Sequence, residues 1–317
     1  IDADEQQRFV TNGDTAGAYG WASYLTVHGT EANKSADGQF RVDVNQDDLE
    51  LLYEELQTTG MNLDWASFIV AYRMYGQSNL TDLSGLASSN DADGATAAAP
   101  SDAIPLLWTA EALDGFDLTA GAGVQLNQLL DLVDAKVVVG EGATAKTFVS
   151  PFVNEPEILA EMLPVLMDLC TTQSNDTLPG RINLNECPAE LLLGLNVVDA
   201  ETMTAIIDAR GEGGAGASIL GGDASVASRD HETWPLTEGW ITLDQMRALL
   251  PLVNAGGDVY RDQIIGYEAK TGLFNRVEAV VDATTPDPQL VQYRDLSHLG
   301  RGFELSVLGS RTTLDIP

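Results

Sequence analysis

Arg181-Ile182-Asn183-Leu184-Asn185-Glu186-Cys187-Pro188-Ala189-Glu190-Leu191-Leu192 is the stretch that decides how this chain is read. A short segment alternating in polarity runs into a helix carrying Leu191, Leu192 and Leu195. After a turn, Asp199 caps a second helix with Met203, Ile206 and Ile207, which ends at Arg210. The same grammar occurs earlier. Arg41-Val42-Asp43-Val44-Asn45 precedes a helix with Leu49, Leu52, Tyr53 and Leu56 on one face. Gly60 stops that helix, Asn62 caps the next, and Trp65, Phe68, Ile69 and Tyr72 mark its apolar face before Gly76 closes it. Placing Val42 on Ile182 and Arg73 on Arg210 needs one small indel in the turn. The two stretches are therefore an internal repeat, although two copies are too few for a solenoid.

Outward from the repeat, residues 84–102 are rich in Ser, Asp, Ala and Gly and are expected to be a loop or linker. Val124 to Val133 has a helical pattern. Lys136 to Val139 and Phe148 to Val149, joined through Gly140-Glu141-Gly142, form a predicted hairpin. Pro156 opens another helix, with Leu159, Met162, Leu163 and Leu166 inward and Pro164 as an expected kink. Thr242-Leu243-Asp244-Gln245 is a capping box into a shorter helix. Beyond Gly256-Gly257 the period changes to two. Tyr260 to Tyr267, Phe274 to Asp282 and Leu290 to Arg294 are predicted strands, with Val277, Ala279 and Val281 alternating against Arg276, Glu278 and Val280. The fold class is α+β, helical hairpins preceding a C-terminal antiparallel sheet.

The 317 residues suit roughly two domains, and 44% apolar residues suffice for real cores. The charge is the unusual number: 48 acids against 16 Lys and Arg, a formal net of −32. Binding to nucleic acid through phosphates is driven by cations that release counterions, so the expectation is no nucleic-acid partner. An anionic membrane surface is disfavoured for the same reason. A field this negative favours divalent cations, a basic partner, or an extracytoplasmic or salty medium. No run approaches a membrane-spanning length. The chain starts at Ile1 rather than Met, as a trimmed or processed form would.

Candidate chemistry is sparse. His28, His231 and His298 share no metal-ligand spacing, and Asp230-His231-Glu232 offers no nucleophile at a recognisable elbow. Gly211-Glu212-Gly213-Gly214-Ala215-Gly216 matches GxGxxG only literally, because a helix precedes it where a dinucleotide site needs a strand. The expectation is that the chain is not an enzyme. Asn90-Asp91-Ala92-Asp93-Gly94 resembles the start of a calcium loop, but the twelfth position falls on Pro100, which has no ligating side chain. Asp91 and Asp93 are thus candidate ligands of a Ca²⁺ site that is not an EF-hand. Cys170 and Cys187 flank a polar loop and fit either a short-loop disulfide in an oxidising compartment or two buried thiols in a reducing one. The repeated helix pairs also raise an alternative, helix-hairpin-helix modules of a competence-type DNA-uptake protein. Neither turn carries the paired glycines such modules use on phosphates.

The stretch from Arg181 to Leu192, followed by Ala205-Ile206-Ile207-Asp208-Ala209-Arg210, resembles the signature of the minor pseudopilin K family of type II secretion systems. Val42-Asp43-Val44-Asn45 with Phe68-Ile69-Val70-Ala71-Tyr72-Arg73 is similar to a first copy of it. The resemblance covers about Gly38 to Leu252. It implies helical-hairpin modules of SAM-like or helix-hairpin-helix-like form combined with a pilin-like antiparallel sheet. It also implies a periplasmic domain of a protein anchored in the inner membrane by an N-terminal helix, here absent, acting in protein transport. The implied partners are other minor pseudopilins at the pseudopilus tip, and calcium is associated with such proteins. The implied organisation is an N-terminal segment of the pilin-like core (1–41), a first helical hairpin (42–80), an acidic loop with a small helix and hairpin (81–150), a second helical region with the repeated hairpin (151–256) and C-terminal antiparallel strands (257–317).

Overall fold

Helix starts are set by short side chains that accept from exposed backbone amides. In the computed structural model, which describes residues 26–78, 105–140, 145–213, 229–268 and 271–302, Asp48 accepts from the Leu51 N–H at 3.0 Å and Asn62 from the Asp64 N–H at 2.8 Å. Asp199 accepts from the Thr202 N–H at 2.9 Å, and the Thr202 backbone and hydroxyl bonds hold its carboxyl below the usual range. Thr242 and Gln245 form the reciprocal capping box.

Among the described residues, β1 (Thr30–Ala32) and β2 (Val42–Asp43) precede helices α1 (Leu49–Thr58) and α2 (Leu63–Tyr75). Next come β3 (Leu106–Leu107), β4 (Lys136–Val139) and β5 (Lys146–Val149), then helix α3 (Pro156–Leu169). The short strands β6 (Cys170–Thr171), β7 (Thr177–Pro179) and β8 (Ile182–Asn183) follow. Helices α4 (Ala189–Leu193), α5 (Ala200–Gly213), α6 (Trp234–Thr237) and α7 (Leu243–Leu249) lead to β9 (Val253–Asn254). Three longer strands end the series: β10 (Val259–Tyr267), β11 (Phe274–Asp282) and β12 (Gln289–Asp295). The chain is mixed α+β. It divides into two compact units, Asn33–Asp176 with Ser228–Pro251, and Ile1–Ala32 with Thr177–Ala227 and Leu252–Pro317.

In the first unit α2 is the centre. Every residue from Ala66 to Arg73 is buried, so this helix is wrapped on all sides and not merely docked by one stripe. Leu49, Leu52 and Leu56 of α1 are buried beside it. The Phe68 and Trp108 rings meet edge-on with centroids 5.8 Å apart, and Trp108 Nε1 donates to Ser67 Oγ at 2.9 Å. Gly76 ends α2 at φ +72°, and a β-carbon there would lie 2.8 Å from Val124 Cγ2. The helix expected over Val124 to Val133 is reduced to a 3₁₀ turn at Leu129–Leu132. The Asn127 and Gln128 amides donate to the Asp131 carboxylate, and the Gly123 and Val124 amides are drawn to the Arg73 carbonyl at 2.8 and 3.0 Å. Those local bonds compete with helix propagation.

The two repeat copies share a common set of hydrogen bonds. In the first unit β2 runs parallel to β6, with Val42 beside Cys170 and Asp43 beside Thr171. The Val44 N–H donates to the Thr171 carbonyl at 2.9 Å, Asp43 accepts from the Asn45 N–H at 2.8 Å, and the Asn45 amide donates to the Thr172 carbonyl at 3.1 Å. Arg73 Nη1 then donates to the Val44 carbonyl and, at 3.1 Å, to that of Gln46, while its Nε donates to the Val124 carbonyl at 2.6 Å. In the second unit β8 runs parallel to β9, with Ile182 beside Val253 and Asn183 beside Asn254. The Leu184 N–H donates to the Asn254 carbonyl at 2.8 Å, Asn183 accepts from the Asn185 N–H at 2.9 Å, and the Asn185 amide donates to the Ala255 carbonyl at 2.7 Å. Arg210 Nη1 donates to the Leu184 carbonyl at 3.1 Å. The copies differ in charge. Burial pulls the Arg73 guanidinium down while the carboxylates of Asp47 and Asp43 pull it back up. The matching positions beside Arg210 hold Cys187 and Asn183, and Cys187 Sγ lies 3.7 Å from Nη1.

Two predictions follow from the clamp. Arg73→Met leaves three carbonyls without a donor and should lower unfolding free energy by about 3 kcal/mol or more, read by urea denaturation with tryptophan fluorescence. Arg73→Lys should recover less than half of that loss, because a compact ammonium cannot reproduce the planar fork; full recovery by Lys would refute the fork geometry. Cys187→Asp restores the acid of the other copy and should stabilise by about 0.5–1 kcal/mol at pH 7. A carboxylate held low by Arg210 contributes only while ionised, so the gain should vanish in a thermal melt at pH 3. Cys187→Ser should show no such pH dependence.

Candidate protein-docking face

Period-two sequence in β10, β11 and β12 builds one antiparallel sheet with β11 in the middle. The register places Tyr260 opposite Val281 and Val281 opposite Leu290. The next row on the same face is Asp262, Ala279 and Tyr293, and the third is Ile264, Val277 and Asp295. A bulge between Val280 and Val281 admits Val291 as the extra residue of β12.

The sequence alternation leaves open which set faces inward, and the structure answers against hydropathy. Arg276, Glu278 and Val280 are the buried residues of β11. On the other face Tyr260, Ile264, Leu290 and Tyr293 are 54, 58, 59 and 60% exposed. The two buried polar residues, Arg276 and Glu278, are held by side chains of the flanking strands. Glu278 accepts from Arg261 Nη2 at 2.8 Å and from Gln263 Nε2 at 3.3 Å, with Arg294 Nη1 at 3.7 Å. The Gln263 side-chain Oε1 accepts from Arg276 Nη2 at 2.6 Å and Nε at 3.2 Å. Burial pushes the Glu278 carboxyl up, but the Arg261 bond and charge, Gln263 and Arg294 together hold it below the usual carboxylate range. Arg261, Arg276 and Arg294 thus lie on the face of Glu278, with Arg276 buried and Arg261 and Arg294 still open to solvent at 31 and 49%. The exposed side holds apolar residues with Asp262 and Asp295; Ser297 keeps the Asp295 carboxyl below its usual range. Exposed apolar surface of this kind is what protein-contact sites are made of.

The residues singled out from sequence do not converge. Asp91 and Asp93 lie outside the described residues. Among the described residues, no group of three or more His, Cys, Asp or Glu is placed to hold a metal ion. His28 sits before β1, His231 before α6 and His298 in the 3₁₀ turn after β12. Cys170 and Cys187 are both free thiols in this structure. Cys170 is committed to the β2–β6 pair, where burial pushes its thiol up to about 12. Cys187 belongs to the other unit, next to Arg210, and burial raises its thiol despite that neighbour. Neither is a thiolate nucleophile at neutral pH. The literal GxGxxG begins inside α5, which extends to Gly213, so a helix precedes it. No described helix is long and apolar enough to cross a membrane. Sequence reasoning missed the exposed face, although Tyr260, Ile264 and Tyr293 stand in phase with Val277 and Val281 once strands are paired.

A carboxylate whose folded pKa lies below its unfolded value of about 4.3 stabilises the fold above that pH and stops doing so as pH falls through the folded value. Glu278→Gln should therefore lower stability by about 1–2 kcal/mol at pH 7, where Arg261 and Arg294 lose a charged acceptor but keep partial solvation. The difference from the parent should close in chemical denaturation below pH 3; a gap that persists unchanged there would mean that packing, not charge, holds the site.

Comparison of the chain with protein-family models, with curated proteins and with solved structures returns no match.

Proposed function

We propose that this chain is a non-enzymatic assembly component that works by protein–protein contact, and that it is the periplasmic domain of a minor pseudopilin of the K kind at the tip of a type II secretion pseudopilus. The observation that carries the reading is the exposed apolar sheet face in a chain of net charge −32. Folding alone gives no reason to leave Tyr260, Ile264, Leu290 and Tyr293 in water, whereas a contact surface does. Support for the family comes from the doubled turn, Asp43-Val44-Asn45 and Asn183-Leu184-Asn185, each closed by an arginine on the following helix pair, Arg73 and Arg210. On this proposal the two helix pairs are helical-hairpin modules, the three-stranded sheet is the pilin-like element, and the domain is tethered to the inner membrane by a segment before Ile1. Calcium, with Asp91 and Asp93 as candidate ligands, belongs to the same proposal, since a divalent ion would offset part of the anionic field.

Co-expression with the other minor pseudopilins of the same secretion system should yield a complex that survives size-exclusion chromatography. Ile264→Ser combined with Tyr293→Ser should weaken it at least about tenfold, on the scale of two removed interface anchors. Folded protein that recovers none of those partners would overturn the family assignment. A salt-sensitive DNA shift at physiological ionic strength would favour the helix-hairpin-helix DNA-uptake alternative instead.

A further inference from the structure

We propose that the exposed face of the β10–β11–β12 sheet docks a different protein chain whose contacting surface is apolar and carries Lys or Arg, and that Asp262 and Asp295 are the specificity determinants of that contact. The proposal rests on the reading that the chain acts through protein contacts, and it names the chemistry of the partner.

The argument is the sidedness of charge. The nine positions of the three cross-strand rows hold seven apolar residues and two acids, and no cation. Arg261, Arg276 and Arg294 all sit on the opposite face, gathered around Glu278 and Gln263. Asp262 and Asp295 make no ion pair among the described residues, and each stands two residues along its own strand from exposed apolar side chains, Asp262 between Tyr260 and Ile264 and Asp295 after Tyr293. A second copy of this chain is a poor occupant. A two-fold contact places the same face on itself, so the acids of both copies would enter one interface with no cation to meet them. Each copy would also bring a net charge of −32. A partner with apolar anchors flanked by Lys or Arg buries the tyrosines and pairs the acids, and opposite charge at the rim speeds encounter and rejects acidic competitors.

The test uses the full chain and a short amphipathic peptide of leucine and lysine, with its glutamate-for-lysine counterpart, in fluorescence anisotropy. The lysine peptide should bind and the glutamate peptide should not. Ile264→Ser with Tyr293→Ser should weaken binding at least about tenfold. Asp262→Lys with Asp295→Lys should invert the preference toward the glutamate peptide, a readout that misfolding would not produce. Unchanged affinity in both double variants would show attraction by the net charge alone and overturn the proposal. So would a parent dimer in sedimentation that Tyr293→Ser abolishes, which assigns the face to a second copy. A benzophenone side chain at position 293 that crosslinks to residues 1–25 or 303–317 of its own molecule would do the same. Peptide selectivity that holds while the co-expressed pseudopilins are not recovered would sink the family assignment and leave the docking chemistry standing.

Discussion

The structure depends on guanidinium groups that satisfy turn carbonyls. In both units a two-residue strand pairs in parallel with another two-residue strand distant in sequence, Val42 with Cys170 and Ile182 with Val253. Ladders this short are not stable by themselves. The turn after each strand must then face helix, and its carbonyls point where no backbone N–H is available. Arg73 and Arg210 supply donors from the end of the second helix, and Asn45 and Asn185 reach across to Thr172 and Ala255. A buried carbonyl left without a donor costs about 1–3 kcal/mol, so the arginine fixes the helix pair to the strand turn with an energy comparable to a large share of net domain stability. This constraint explains why the motif is long. The strand turn and the helix pair are tied by the arginine, which sits about thirty residues after the turn in each copy.

The same constraint shapes the charge. With 16 Lys and Arg against 48 acids, cations are scarce. Arg73 is on carbonyls, Arg181 pairs with Glu31 at 2.8 Å, and Arg229 pairs with Glu238 at 2.7 Å while lying over Trp234. Arg261, Arg276 and Arg294 serve the Glu278 network. Internal bonds take up these cations, and the outer surface keeps the uncompensated acids. Such a surface repels copies of itself and attracts positive charge.

What could be read from the sequence was what short-range chemistry decides. The caps at Asp48, Asn62, Asp199 and Thr242 need only neighbours two or three residues away, and each is observed. Period two revealed β10, β11 and β12 because alternation is a property of the strand itself. The Val124 to Val133 stretch was misjudged because its fate lies with Arg73, about fifty residues earlier, whose carbonyl and Nε capture Gly123 and Val124. The candidate face was not legible for a related reason. Val277, Ala279 and Val281 look like the inward set, and only the cross-strand register shows that Arg261, Gln263 and Arg294 converge on Glu278 and bury it at the centre of the polar face.

Strand propensity is the competing account of the exposed face. Valine, isoleucine and tyrosine favour extended backbone, so some apolar residues would be present in these strands whatever they touched. Propensity acts residue by residue and is indifferent to face. Here the distribution is not indifferent: β10 carries Arg261 and Gln263 on one side and Tyr260 and Ile264 on the other, and β12 carries Gln292 and Arg294 against Leu290 and Tyr293. Threonine would serve an edge strand equally well and blunt it against unwanted pairing. The network around Glu278 gathers the polar side chains of the sheet on one face, and the apolar residues of the other face, Tyr260, Ile264, Leu290 and Tyr293, stay exposed with no such partners.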